Sequence, residues 1–533
     1  MSTIEATILT IACFGVGGIV PAWAMGGPSG STLAFAILIG AVETAVAGAC
    51  SLVVAWSTLP WFFIVAVGAT LVSTVILIRR RRGRSACTGE ASHFRTLRAR
   101  LPGAAVVAVL SLTLAWCLVP LRVPSVGWDA RAIWLLRSSW FARGHDFLLV
   151  AFRSPGALIA HASYPPLIST AVASSWQLSG NHTERVGVVI VAFLNASATL
   201  ATSWVMVEAG RNVSRRQEQD KRFLFAEGVG VACAVLFTLV TFGIFGPFAT
   251  NGYADPLWSV AAVGAIGYGL ILPPKRRNLA ASAILLAVSG LTKTEGTGTA
   301  IVLAILIALR YSLFTASDLH QEGTSSKALT PGGQRVLGSI ARTKWRPIAA
   351  SVAVLIGVSL WPILARLEDA TRDVNTSGSR QGTWISRAHL TLAAIAPHLH
   401  VLLVAAPVAL AGGLLLRRHR KQAGLGSDVW AWLGLLGGLS VVISAYVTGP
   451  GNTAFWLLTS AHRTTMFAAT AAWLIIAVWA VVAAASIVDG RAASPQARGL
   501  PPEPVLLPTM ETSDGRHATN PPGKATSPTS ARR

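Results

Sequence analysis

The chain has 533 residues, of which 53% are hydrophobic and only 12% charged, and its mean hydropathy is +0.57. A soluble domain carries roughly twice that charged fraction, so a water-soluble globular protein is excluded. The net charge of +22 falls in short loops between apolar runs, as topology determinants do, and no basic domain is present to bind nucleic acid.

The apolar runs are long, continuous and rich in Ala and Leu, which matches bilayer-crossing helices and not the alternating strands of a barrel. The reading is an all-α integral membrane protein with about 13 spans, near 4–24, 31–56, 61–78, 102–120, 184–208, 225–248, 254–272, 278–292, 297–314, 347–364, 390–415, 428–448 and 464–486. The start, MSTIEATILTIACFG, lacks the positive n-region of a signal peptide. Cys13, Cys50, Cys87, Cys117 and Cys233 show no CxxC spacing, so neither a zinc site nor a disulfide framework is supported.

Basic loops set the orientation. The strongest is Arg79–Arg82 with Arg84; the others are RNVSRRQEQDKR (Arg211–Arg222), Lys275–Arg277, the 315–346 segment and RRHRK (Arg417–Lys421). Placing the first in the cytoplasm places all of them there, with the N-terminus outside and the tail inside. Pro165–Ser179 is apolar, but it is about 15 residues long and begins Pro-Pro. Counting it as a span reverses every later loop, so it reads as a re-entrant or partly inserted helix within one large outer loop from Leu121 to about Thr183. The tail 489–533 is rich in Pro, Ser, Thr, Gly and Arg and reads as disordered, as does the 315–346 loop. No internal repeat is visible.

Under this topology the polar residues with chemical potential gather on the outer side. In chain order they are Gly127-Trp128-Asp129-Ala130; the stretch RAIWLLRSSWFARG with Arg131 and Arg137, which reads as an interfacial helix; His161 and Tyr164-Pro165-Pro166; Gly252-Tyr253-Ala254-Asp255; Lys293-Thr294-Glu295-Gly296; the loop 365–389; and His462-Arg463. Each has a plain structural alternative. Asp129 can cap a helix and Asp255 can serve a turn before Pro256. His161 and Tyr164 can be interfacial anchors, and Arg463 can pair with lipid phosphate. Lys293 and Glu295 are harder to dismiss, because the flanking spans are short and the turn therefore lies below the membrane surface, where ionisable groups are costly and usually functional. Glu43, inside the second span, has no evident partner.

Four of these pieces, Trp128-Asp129-Ala130, His161…Tyr164-Pro165, Gly252-Tyr253-Ala254-Asp255 and Lys293-Thr294-Glu295-Gly296, resemble in kind and order the motifs of the GT-C superfamily of polytopic membrane glycosyltransferases, over roughly residues 102–480. That superfamily includes protein O-mannosyltransferases, lipid A aminoarabinose transferases and oligosaccharyltransferases. The resemblance implies a GT-C-like bundle: extra N-terminal spans and a basic loop in 1–101, a catalytic module with outer loops in 102–300, further spans in 301–488 and the tail in 489–533. It also implies transfer of a sugar from a polyprenyl-phosphate donor to an envelope glycan, lipid or protein acceptor outside the plasma membrane. The first motif holds one Asp where better-known branches hold Asp-Glu or Asp-x-Asp, which leaves a divalent cation an open question and no cofactor certain.

On this reading Asp129 is the catalytic base, since polyprenyl phosphate leaves as a stable anion and needs no general acid. Lys293 and Arg463, with Arg131 and Arg137 as weaker candidates, face the developing phosphate charge. Asp255 and Glu295 orient hydroxyls or hold Lys293, while His161, Tyr164 and Trp128 line the sugar site. The readings weighed against it are a transporter or flippase of lipid-linked sugars, disfavoured by the lack of repeats, and a non-catalytic relative.

Overall fold

The computed structural model describes residues 1–26, 31–84, 125–214, 220–323, 333–369, 382–422, 424–449 and 451–492. The chain forms two units, Met1–Val488 and Asp489–Arg533. Of the second, the described residues are 489–492, the end of the last helix, so the expectation for the tail lies outside the described residues.

The described residues form helices and no strand. Three long ones open the chain, α1 (Thr3–Gly26), α2 (Thr32–Val53) and α3 (Thr58–Arg84). After Asp129 comes a π-helical turn, Ala130–Leu135, followed by α4 (Leu136–Ala142), α5 (His145–Arg153) and α6 (Leu167–Ser179). Then follow α7 (Glu184–Ser214), α8 (Asp220–Phe245), α9 (Asp255–Ile266), α10 (Arg276–Thr292), α11 (Thr294–Gly323) and α12 (Gly333–Leu367). The last are α13 (Trp384–Ile395), α14 (Val401–Leu415), α15 (Arg417–Gln422), α16 (Asp428–Thr448) and α17 (Thr453–Ala492).

Nine of the described helices are long and apolar enough to cross a bilayer, or ten if the pair Trp384–Leu399 and Val401–Leu415, bent by 67°, is one span. This is a multi-pass membrane protein. Of the other expected spans, 102–120 lies outside the described residues, and 254–272 and 278–292 are the shorter α9 and α10. Every residue of α9 is buried. A helix enclosed by protein on all sides need not match the thickness of the hydrocarbon layer, which accounts for its length.

Two expectations are corrected. The 315–346 segment is not a loop throughout: α11 runs on to Gly323 and α12 begins at Gly333, with 324–332 outside the described residues. The rings of Trp134, Trp140 and Phe141 in the Trp-rich stretch turn toward protein and not toward lipid. Trp134, Trp140 and Phe141 are at most 6% exposed, and Trp140, Phe141, Phe152 and Trp361 form a separate aromatic core beneath α5. Sequence alone does not distinguish an aromatic facing lipid from one facing a neighbouring helix.

The segment after Pro165-Pro166 is α6, 13 residues long, closed by Gly180 at φ +66° and almost wholly buried against α1, α2, α4 and α7. The hydroxyls of Ser169, Thr170, Ser175 and Ser179 find partners within the protein, as in the 2.7 Å contact of Thr10 with Ser175, while Ser174 Oγ has none among the described residues. That satisfaction is what a short buried helix in a membrane protein requires.

The polar contacts separate by bundle end. At one end Arg211 pairs with Glu227 (2.8 Å) and Glu208 (3.1 Å), Arg277 joins Glu208 (3.1 Å), Lys275 reaches Asn212 (2.7 Å), and Arg420 pairs with Asp428. Arg211, Lys275 with Arg277, and Arg420 come from three of the five basic loops, so those three share one end. At the other end lie Met1, whose carbonyl accepts from Asn181 (2.9 Å), and the turns that carry Asp129, Asp255, Lys293 and Arg463. There buried Arg387 of α13 donates to the Tyr446 carbonyl (2.9 Å) and to that of Gly449, tying α13 to the α16–α17 turn. Replacing Arg387 by Met strips these carbonyls of a donor, at about 1–3 kcal/mol for each group left unsatisfied. The variant should unfold at a clearly lower temperature than wild type in a detergent thermal melt.

Candidate functional site

Four segments far apart in sequence bring five charged side chains into one continuous chain. Asp129 pairs with Arg463, and Arg463 lies 3.3 Å from Asp255 through the same guanidinium nitrogen, Nη1. Asp255 accepts from Lys293 Nζ at 2.8 Å, and Lys293 reaches Glu295 at 3.3 Å. The sign alternates along the chain, from carboxylate to guanidinium, carboxylate, ammonium and carboxylate. Its centre is the most enclosed part: the Asp255 side chain is 2% exposed and that of Lys293 8%, against 20% for Asp129 and 17% for Glu295 at the two ends. The array is a buried network that opens at its termini.

The local sequence explains the placement. Asp255 and Pro256 open α9, where the helix dipole and the unpaired N–H groups favour a carboxylate. Lys293 is the one extended residue between α10 and α11, with φ −151° and ψ 156°. Glu295 stands in the first turn of α11. Gly296 fits because a Cβ there would lie 2.1 Å from the Ser289 carbonyl oxygen. Arg463 projects from within α17.

Two glycines bring the first and third motifs into contact. The Gly127 N–H donates to the Asn251 carbonyl (3.0 Å), and a Cβ on Gly127 would fall 2.0 Å from the Tyr253 ring. Gly252, at φ +90°, has Ala130 so close that a Cβ would come to 2.8 Å of its methyl. The Tyr253 ring in turn lies 4.7 Å from the Arg463 guanidinium carbon, a cation–π contact, with Phe248 at 5.9 Å. Burial and the nearby Asp129 carboxylate push the Tyr253 phenol above its usual range, against the pull of Arg463, so its hydroxyl keeps its proton at neutral pH.

The second motif supports the site from beside it. His161, in the left-handed region at φ 48°, stacks on Tyr164 at 4.6 Å, and Tyr164 packs against Trp134 at 5.7 Å. Tyr164 is near enough to Lys293 to be coupled to it electrostatically. Arg137 is fully buried, donates to the Tyr164 carbonyl at 2.6 Å and lies 5.8 Å from the Trp361 ring. It holds the Tyr164 turn and does not join the charged chain. Arg131 is also elsewhere: it makes a bidentate pair with Glu184 at 2.8 Å, with 64% of its side chain exposed. Trp128 is 67% exposed beside Asp129. The structure therefore brings Asp129, Asp255, Lys293, Glu295 and Arg463 together, sets His161 and Tyr164 alongside, and diverts Arg131 and Arg137 into structural pairs. Sequence reading had no signal for Phe248, or for His398, which meets His462 at 5.1 Å next to Arg463.

Among the described residues no group of three or more His, Cys, Asp or Glu side chains is placed to hold a metal ion. The three carboxylates of the array each face Arg463 or Lys293, cations that would repel a metal at the same oxygens.

No family model, curated protein or solved structure matches the chain.

Burial opposes the charge of Lys293, but Asp255 and Glu295 outweigh it and hold the ammonium well above its usual range. A value raised above that of the unfolded chain gives stability that is fully present below the ordinary lysine range and lost only as pH rises through the folded value. Lys293→Met should therefore cost about 3–5 kcal/mol, the scale of a broken buried pair. The deficit should stay constant from about pH 6 to about pH 9. Adding Asp255→Asn should recover part of it, and thermal melts of the three proteins across that range check the expectation.

Proposed function

We propose that the protein is a membrane glycosyltransferase that moves a sugar from a polyprenyl-phosphate donor to a cell-envelope acceptor, whether glycan, lipid or secreted protein. The array lies at the bundle end opposite the basic loops, and the positive-inside rule makes that end the outer face of the plasma membrane. The observation that carries the reading is the sharing of Arg463 between Asp129 and Asp255, beside Lys293. It sets a carboxylate able to accept a proton next to two cations able to hold a phosphate.

The reaction follows from these groups. The acceptor hydroxyl attacks the anomeric carbon and passes its proton to Asp129 as the new C–O bond forms. The bond from that carbon to the phosphate oxygen breaks, and the phosphate departs with its electron pair toward Arg463 and Lys293. A single displacement inverts the anomeric centre. Arriving phosphate competes with Asp129 for Arg463, while Asp255 keeps Lys293 at 2.8 Å. Asp129 has no second ion pair among the described residues, so transfer of Arg463 to the donor leaves this carboxylate free to act. Glu295, at one of the two more exposed ends of the array, holds Lys293 at 3.3 Å or accepts from a sugar or acceptor hydroxyl.

Deleting the protein from its host should cause one polyprenyl-phospho-sugar to accumulate, as read by lipid mass spectrometry. Restoring the wild-type chain should clear it. Asp129→Asn should fold and reach the membrane but turn over about 10²–10⁴-fold more slowly, the range for a lost general base. Arg463→Gln should lose more activity than Arg463→Lys. Normal transfer by Asp129→Asn removes that residue from the base role, and sugar-lipid flipping with no glycosidic bond formed makes the protein a transporter.

A further inference from the structure

A second site lies outside the charged array. A cavity of about 400 Å³ opens between α1, α2, α3 and α10 on the basic side of the bundle, a volume within the roughly 300–1,000 Å³ of small-molecule sites. Its walls are apolar, with Ile39, Val65 and Ile284 among them, and its polar lining is confined to Glu43, Ser73, Arg80 and Arg276. Glu43 is 4% exposed, lies mid-way along the membrane-crossing α2, and neither of its carboxyl oxygens has a hydrogen-bond partner among the described residues. The fold makes room for it: a Cβ on Gly17 of α1 would come within 2.8 Å of Glu43 Oε2. An ionisable side chain kept at this depth facing a cavity is costly unless something in the cavity meets it.

The geometry limits what that is. Arg80 donates to the Ala24 carbonyl, so its guanidinium sits at the level of Ala24, whereas Glu43 is level with Gly17. Seven residues of helix separate these levels, about 10 Å at about 1.5 Å per residue. The occupant therefore presents an anion near the rim and a hydrogen-bonding group deeper, the two separated by less than the about 10 Å between guanidinium and carboxyl because each contact takes up part of it, with apolar chain against the walls. In its neutral form the Glu43 carboxyl donates one hydrogen bond, which calls for an acceptor. We infer that the groove between α1, α2, α3 and α10 binds one anionic glycerophospholipid of the bilayer, its phosphate on Arg80 and Arg276 and an ester carbonyl on Glu43. The acyl chain then follows the apolar wall past Ile39 and Val65. Polyprenyl phosphate offers the same anion but no carbonyl, so Glu43 discriminates between the two lipids. This inference stands apart from the transferase reading.

Native mass spectrometry of the full chain released from detergent tests it, with three probes: diacyl phosphatidylglycerol, its dialkyl ether analogue and a polyprenyl monophosphate. The wild type should retain one diacyl lipid and hold the ether analogue about fivefold less well, the scale of one hydrogen bond. Glu43→Leu should abolish that difference, and Glu43→Gln, whose amide still donates, should preserve it. Arg276→Gln should weaken both glycerolipids. Equal retention of ester and ether lipids by the wild type overturns the proposal without any variant. So does a Glu43→Leu protein that still discriminates, or a preference for polyprenyl phosphate over both.

Discussion

Arg463 is the residue on which the arrangement of the turns opposite the basic loops depends. Its guanidinium joins Asp129, 334 positions earlier, to Asp255, 208 positions earlier. Removing it would leave Asp129 without an ion-pair partner among the described residues and the fully enclosed Asp255 with Lys293 alone. A buried alternating array is a poor source of net stability, because desolvation consumes most of the Coulombic gain. Its value lies in geometry: five groups on four segments occupy fixed relative positions before any ligand arrives. Preorganised charge of this kind is what stabilises a developing anion without reorganisation during reaction.

The rest of the fold maintains that arrangement. The glycines of the first and third motifs let the two loops touch, Arg137 braces the Tyr164 turn from the side, and Arg387 fixes the turn that leads into α17. The buried α9 presents Asp255 from its first turn, and the extended residue between α10 and α11 presents Lys293 toward it. Such elements pack against protein and need not face lipid, which is why they are short.

The membrane class, most of the long helices and the common end of three of the basic loops were legible in the sequence, because they rest on apolar length and loop charge, both local properties. The members of the site were legible as well, since ionisable residues are scarce in such a chain and each stands out. Their pairing was not. That Arg463 contacts Asp129 while Arg131 turns to Glu184 is decided by tertiary packing, and two arginines in similar surroundings read alike. The rings of the Trp-rich stretch were ambiguous for the same reason: Trp134 and Trp140 suit a lipid-facing and a protein-facing position equally, and only the placement of Tyr164 against Trp134 and of Phe152 against Trp140 selects the latter. Glu43 was visible as an anomaly, but the space around it came from Gly17 on another helix.

One feature of α17 reaches beyond the site. Sixteen residues after Arg463 the same helix carries Trp479, whose Nε1 donates to Asp428 at 3.1 Å and whose ring lies 4.9 Å from the Arg420 guanidinium carbon. Arg463 and Trp479 are thus about 24 Å apart on a single strut. The strut is pinned at both ends by charged groups of other helices, so an axial slide of α17 cannot occur at one face of the bundle without pulling on the other. One helix thus links the end of the bundle that holds Arg420 and Asp428 to the end that holds Asp129 and Asp255.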